Sequence, residues 1–501
     1  MSQSPQNRNS AAEDQGRPNI VIVLADDMGY GDVRVLNPRS RIPTPHMDNL
    51  AANGVSFTDA HAASSVCTPS RYALLTGEYC WRSGLHHGVF AGYEPPLISV
   101  EKETIARLLR SVGYRTAAIG KWHLGLGYGA VKGSSLDFTR PIPWPVATRE
   151  FEEQIDFAAP LSGGPLELGF DEFFGTSGCP TCQPPYGWID GDRFIEPPDV
   201  YDESAPYTGR PGMRSASWKH SDADPIIIQH SVDFIGKQSD GEPFFLYVGL
   251  DAPHEPCIDE FVPAIARGRS QAGPRGDLVW LVDHAVGEIV AALEASGQVD
   301  NTLLIVTSDN GALPGDRVID ADGVEVYRSY DHDPSGGWRG HKAHIWEGGH
   351  REPLLIQWPN RIPPGSVCAG LVCLTDLVAM TAALAGAKIP EAAAVDSFDV
   401  SPLLANPAHL SPRTSIIHHS QRGVFAVRRD SWKAIFDSEG SGGWPPPSGG
   451  PPVEGSRGQL YHLGDDPSET RNLWDVQPDI VESLRTILDQ ARADGRTAPV
   501  M

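Results

Sequence analysis

The 501-residue chain is 40% hydrophobic and 21% charged, the balance of a globular protein with room for a large α/β domain and a smaller companion. A net charge of −24 and a pI near 5.0 argue against a nucleic-acid partner or an anionic membrane surface, so an anionic substrate needs a local cationic pocket. Seven cysteines is an odd number, which leaves at least one unpaired or modified.

Met1–Arg17 is polar and lacks the apolar segment of a secretory signal; residues 1–17 read as a disordered tail. Asn19–Ala25 is a continuous apolar run, the mark of a strand buried on both faces. It ends at Asp26 and Asp27, adjacent carboxylates that repel unless a cation lies between them, and hard cations favour such oxygens. Pro45–Ala52 reads as a short helix, Glu101–Val112 as a longer one closed by Gly113, and Tyr114–Gly120 as the next strand, with Lys121 and His123 just past its end. Gly125 to about Asp224 is loop-rich, carrying Trp144, Tyr186, Trp188, Arg193 and a lone Cys179-x-x-Cys182, read as loop structure or pocket wall because neither a thioredoxin-like setting nor a second such pair accompanies it. Substrate specificity is expected to reside in this insertion.

Ile226–Phe234 looks helical. Pro243–Leu250 is another buried strand, running into Asp251 and His254; Asp277–Ala295 is a helix with core spacing; Thr302–Thr307 is a strand ending at Asp309-Asn310. A Gly- and His-rich loop through Lys342 leads to a last strand, Pro353–Trp358. Leu371–Ile389, interrupted by Thr375, Asp376 and Thr381, reads as an amphipathic helix, and no stretch reaches transmembrane length, so a soluble cytoplasmic chain with no membrane partner is expected. Beyond Leu404 the texture changes to three strands (Gly423–Arg428, Trp432–Phe436, Gln459–Leu463), a Gly/Pro loop over Gly440–Gly455 bearing Trp444, and a closing helix, Pro478–Ala493. The alternation predicts an α/β fold: a mostly parallel central sheet sandwiched by helices over residues 18–405, and a small α+β subdomain with an antiparallel sheet over 406–501. Polar clusters follow four strands at the same end, where open α/β sheets place their ligands.

The focus is Cys67-Thr68-Pro69-Ser70-Arg71, continuing to Leu74-Leu75-Thr76-Gly77. Pro69 suits a first helical turn and Gly77 its end, which puts Cys67 at a helix N-terminus, where free N–H groups favour an anion, with Arg71 one turn on. By itself Cys67 is open to three readings: a small buried hydrophobe, half of a disulfide, or a thiolate nucleophile.

The C-T-P-S-R-x-x-L-L-T-G stretch resembles the signature of the type I, formylglycine-dependent sulfatases of the alkaline phosphatase superfamily. Further stretches resemble that family in order: N-I-V-I-V-L-A-D-D-M-G-Y-G-D, G-K-W-H-L-G, A-P-H-E-P, T-S-D-N-G, R-G-H-K with W-E-G-G-x-R-x-P, and a closing L-Y-H-L-x-x-D-P-S-E-T-R-N-L. The resemblance implies hydrolysis of carbohydrate or aryl sulfate monoesters by an arylsulfatase-like sulfuric ester hydrolase. Asp26, Asp27, Asp309 and Asn310 match the metal ligands, an oxygen set suited to Ca²⁺ with Mg²⁺ or Mn²⁺ as alternatives. Cys67, converted to formylglycine, would complete them and supply the gem-diol nucleophile. Arg71 and Lys121 would hold the diol, His123 would take its second proton, and His254 and Lys342 would contact the sulfate and serve the leaving group. A hydroxyl residue that often touches substrate is left among Ser134, Ser135 and Ser177. The implied partners are a sulfated small molecule or saccharide and a formylglycine-generating or anaerobic sulfatase-maturating enzyme. A phosphonate monoester or phosphodiester hydrolase, and a binding protein with unconverted Cys67, are the competing readings.

Overall fold

The structure is a computed structural model and describes residues 16–134, 136–137, 148–203, 210–238, 241–321, 323–437, 440–444 and 457–500. Ser135, Trp144, residues 1–15 of the polar tail and most of the 440–455 loop lie outside the described residues.

In chain order the elements that build the site are β1 (Asn19–Ala25), β2 (Val55–Phe57), α1 (Cys67–Thr76), α2 (Ile105–Ser111), β3 (Arg115–Lys121), β4 (Glu172–Thr176), β5 (Ile189–Asp190), β6 (Arg193–Phe194), α3 (Ala223–Gly236), β7 (Phe244–Gly249), α4 (Gly273–Ala295), β8 (Thr302–Ser308), β9 (Leu354–Gln357), β10 (Ser366–Cys368) and α5 (Asp376–Ala385). The strands form one 10-stranded sheet in the order β10-β2-β9-β8-β1-β7-β3-β4-β5-β6. Its centre, β8-β1-β7-β3-β4, is parallel throughout; β9 and β5 turn antiparallel at either side. Period-two alternation splits β1 between two cores. Val21, Val23 and Ala25 face α3 and α4 residues such as Ile227, Leu281 and Ile289, while Ile20, Ile22 and Leu24 face Leu74, Leu109 and Leu377 from the other helices.

A second, 4-stranded antiparallel sheet follows: β11 (Ser415–His419), β12 (Phe425–Arg429), β13 (Trp432–Ile435) and β14 (Gln459–His462), covered by α6 (Pro478–Ala493) through Val481, Leu484 and Leu488. Its first strand was not among those expected. This sheet packs on the large unit through apolar contacts, such as Ile416 and Val427 with Ala73 and Tyr79, and beside a buried polar cluster. His61 Nδ1 lies 3.1 Å from His350 Nδ1, His350 stacks on His418 at 3.7 Å, and Lys433 reaches Glu347 at 3.1 Å.

Other elements also depart from expectation. The helix predicted from Glu101 starts at Ile105, because the Thr104 hydroxyl accepts the Arg107 N–H at 3.1 Å and caps it there. The Leu371–Ile389 stretch is helical only over Asp376–Ala385 and is buried nearly all round, so it is a core helix. Strand β4 arises inside the segment read as loop, since Glu-Phe-Phe-Gly-Thr offers too short an apolar run to register. No described helix is long and apolar enough to cross a membrane.

Candidate active site

The carboxyl ends of β1, β3, β7 and β8 converge on the N-terminus of α1. In register across three of the parallel strands sit Gly249, Gly120 and Gly175. A Cβ on Gly120 would stand 2.0 Å from Gly249 O, and one on Gly249 would crowd Lys121 O and Arg71 Nη1. Side chains are excluded here, and the space is taken by the guanidinium of Arg71.

Arg71 is 0% exposed and uses its whole planar fork. Nε donates to Asp309 Oδ2 at 2.9 Å, Nη2 to Asp26 Oδ2 at 3.0 Å, and Nη1 to Lys121 O at 3.1 Å and Tyr247 OH at 3.3 Å. Lys121 Nζ pairs with Asp26. Lys342 Nζ pairs with Asp27 Oδ2 at 2.7 Å, and Asn310 Nδ2 donates to Asp27 Oδ1 at 2.6 Å. Cys67 opens α1, with Sγ 3.3 Å from Asp26 Oδ1. His254 Nε2 stands 3.8 Å from Asp27 Oδ2, and its Nδ1 donates to Glu255 O at 2.7 Å. His123 Nε2 donates to Phe90 O at 2.7 Å, which leaves Nδ1 buried without a partner among the described residues. Asp27 (φ 71°) and His123 (φ 60°) both adopt the left-handed backbone that L-residues avoid, strain of the kind that gathers at functional positions.

Burial works against the charge on Asp26, but Lys121, His254, Arg71 and Lys342 outweigh it and hold the carboxyl well below the usual range. Asp309 goes the other way: burial and the Asp26 charge push it up to about 6 despite Arg71. Burial and Asp26 push the Cys67 thiol up to about 11. Burial, then Lys121 and Arg71, hold His123 neutral well below its ordinary value. Burial opposes charge on His254, yet Cys179 and other neighbours raise it well above the usual imidazole range.

The donor set fits a hard cation. Asp26 and Asp27 bring ligand atoms within 4.8 Å of Cys67 and His254, Asp309 Oδ1 accepts the Asp27 N–H at 3.3 Å, and Asn310 Oδ1 is buried without a partner among the described residues, an acceptor that an ion would satisfy. His254 Nε2 lies 3.8 Å from Asp27 Oδ2, but Asp309 is followed by Asn310 and not by the histidine that a two-zinc centre would need there.

All the residues singled out in the sequence, Asp26, Asp27, Cys67, Arg71, Lys121, His123, His254, Asp309, Asn310 and Lys342, gather here. Of the hydroxyl candidates, Ser134 bonds Gln154 at 3.2 Å, Ser177 touches the site through its backbone carbonyl, which accepts the His123 N–H at 2.9 Å, and Ser135 lies outside the described residues. The wall beside His254 is instead Cys179, Thr181, Cys182 and Asp251, with Thr181 Oγ1 donating to Asp251 Oδ2 at 2.8 Å. Glu352 was also missed. It is fully buried with both carboxyl oxygens unpartnered among the described residues, and burial together with Asp309, Asp27 and Asp32 holds it protonated. Its only sequence signal was the polar break before β9.

Comparison with known proteins agrees with this geometry. The family model described as Sulfatase matches residues 18–387. The chain is 33% identical to an N-acetylgalactosamine-6-O-sulfatase of Bacteroides thetaiotaomicron, over 95% of this chain and 93% of that one. It is also 33% identical to human arylsulfatase A, over 94% and 87%. A solved structure bearing on the metabolism of multiple glycosaminoglycans by B. thetaiotaomicron superposes with a TM-score of 0.80 at 29% identity, covering 96% of this chain and all of that one.

Proposed function

The chain belongs to the sulfatase family and is a sulfuric ester hydrolase, and from that premise we propose that it removes sulfate from saccharides, using Cys67 converted to formylglycine beside a bound Ca²⁺. The observation that carries the saccharide reading is Trp444, whose ring lies 6.0 Å from Lys342 Nζ. An indole beside a sulfate-binding cation offers a flat apolar face to a sugar ring while the ammonium takes the sulfate. The relative named for a 6-O-sulfated amino sugar supports the same class.

When present, the cation and the formylglycine diol supply electrophilic pull on the sulfate and an oxygen nucleophile. The chain's own groups do the rest. A thiol pushed up to about 11 is not poised as a thiolate, which favours conversion of Cys67 over direct thiol chemistry. Arg71 fixes Asp26 and Asp309 in place. Lys121 and Lys342 neutralise charge on the sulfate oxygens, at 0% and 4% exposure, where water screens them little. His254, charged and held through Nδ1, presents Nε2 as the proton donor to the leaving oxygen. His123, neutral with Nδ1 free, accepts a proton there. Cys67 is 1% exposed, so a maturating enzyme must reach it before the chain folds.

The test is turnover of sulfated mono- and oligosaccharides against nitrophenyl sulfate and a nitrophenyl phosphonate, with the mass of the Cys67 peptide measured on the same protein. Preference for a sulfated saccharide, with the Cys67 peptide shifted to formylglycine, is expected. Faster phosphonate turnover, or full activity with an intact thiol, would sink the proposal.

A further inference from the structure

Hydrolysis makes no use of a thiol, yet two sulfurs press against His254. Cys179 and Cys182 are 0% and 5% exposed, and their Sγ atoms are 3.1 Å apart, inside van der Waals contact. Cys179 Sγ is 3.1 Å from Asp251 Oδ1 and 3.3 Å from His254 Nδ1, and Cys182 Sγ is 3.9 Å from the same nitrogen. The turn between them is pinned: Gln183 N–H donates to Cys179 O at 3.0 Å, and the Gln183 side chain accepts the Cys179 N–H at 3.0 Å. The sulfurs therefore have about 1 Å to travel to reach bonding distance. A metal held by the same groups is disfavoured, because His254 Nδ1 carries its proton toward Glu255 O at 2.7 Å and has no lone pair to give.

We propose that Cys179 and Cys182 are a modification site, closed to a disulfide by a hydroperoxide, and that the disulfide form of the pocket binds the anionic substrate more tightly than the dithiol. The second half rests on the sulfate-ester reading of the site.

The Cys182 sulfur, held down to about 5 by its contact with Cys179, against burial and with help from His254, is the attacking thiolate. Its S–O bond forms as the peroxide O–O bond breaks, and the departing oxygen takes a proton. The Cys179 sulfur then attacks that sulfenic sulfur. The S–S bond forms, the S–O bond breaks, and the hydroxyl leaves as water with the Cys179 proton. The two sulfurs give up two electrons, which the hydroperoxide accepts. The dithiol form leaves an anionic sulfur 3.9 Å from Nδ1 of His254, whose Nε2 serves the substrate, and the disulfide removes that charge.

Matured enzyme is split between hydrogen peroxide and a phosphine reductant. Non-reducing peptide mapping should give a Cys179–Cys182 peptide lighter by two hydrogens in the first sample and alkylated at both positions in the second. Calorimetric titration with inorganic sulfate should show the reduced form binding more weakly, and KM for a sulfate ester should rise about five-fold, the effect of one charge across a partly solvated pocket. Cys182→Ser, which can hold no thiolate, should keep the low KM in either sample, and Cys182→Ala serves if the serine variant does not fold. The disulfide is refuted if both cysteines stay alkylatable after peroxide, or if the reduced pair holds stoichiometric zinc. Its role in binding is refuted if the bond forms and sulfate affinity does not change. Peptide mapping needs no turnover, so it stands even if sulfate esters prove not to be the substrate.

Discussion

Replacing Arg71 by methionine isolates what the buried guanidinium does. The side chain is 0% exposed and bridges Asp26 and Asp309 at 3.0 and 2.9 Å, so its loss leaves two buried carboxylates facing each other. Removing one partner of a buried ion pair costs about 3–5 kcal/mol. For a cooperative unit of about 400 residues, unfolding entropy is roughly 0.8 kcal/mol per degree, so Tm should fall by about 4–6 °C. The assay is a thermal melt at pH 8, where Asp309, pushed up to about 6, is ionised. Saturating Ca²⁺ should shrink the deficit, because the ion compensates the same carboxylates. Arg71→Met with Asp309→Asn should recover about 1–2 kcal/mol of stability without recovering activity. If the single variant melts within about 1 °C of wild type, or the asparagine restores nothing, the guanidinium is not what holds these carboxylates.

Lys342→Met keeps the stem but removes the charge paired with Asp27 at 2.7 Å; kcat for sulfate esters should fall about 10²–10³-fold with the fold intact by circular dichroism. Trp444→Ala should raise KM for a sulfated saccharide about ten-fold while changing nitrophenyl sulfate turnover little, as steady-state kinetics on both substrates will show. The third concerns acid. Burial holds His61 and His419 neutral down to about 4, and His350 and His418 are likewise held well below the usual value. The unfolded chain takes up these protons from about pH 6.5 downward while the folded chain does not, so this stability is complete above that pH and is lost toward 4. Melts from pH 7 to 4.5 should show a falling Tm, and His418→Phe should flatten the slope.

The oxygen cluster was legible because of where it sits. A strand buried on both faces must be a continuous apolar run, so the first carboxylates after Asn19–Ala25 and Thr302–Ser308 stand out as residues with no packing reason to be there. Lys121, His123 and His254 follow the same logic at the ends of β3 and β7. The opposite wall gives no such signal. Cys179 lies in an irregular segment and meets Asp251 and His254 only through folding across more than 70 residues, so its spacing to Cys182 left loop structure and pocket wall both open, and only the fold shows that the pair is wall. Glu352 looked like any acid before a strand, and its role depends on Asp27, Asp32 and Asp309 arriving around it. The glycines at 120, 175 and 249 carry no signal of their own, whereas in register they let the strand ends approach closely, and Gly249 leaves room for the Arg71 guanidinium. What chain order reveals is therefore the half of the site built on strand ends. The half that tunes it, by sulfur, neutral acid and absent side chains, is a property of contacts, and that is why the dithiol beside His254 emerges only from the folded chain.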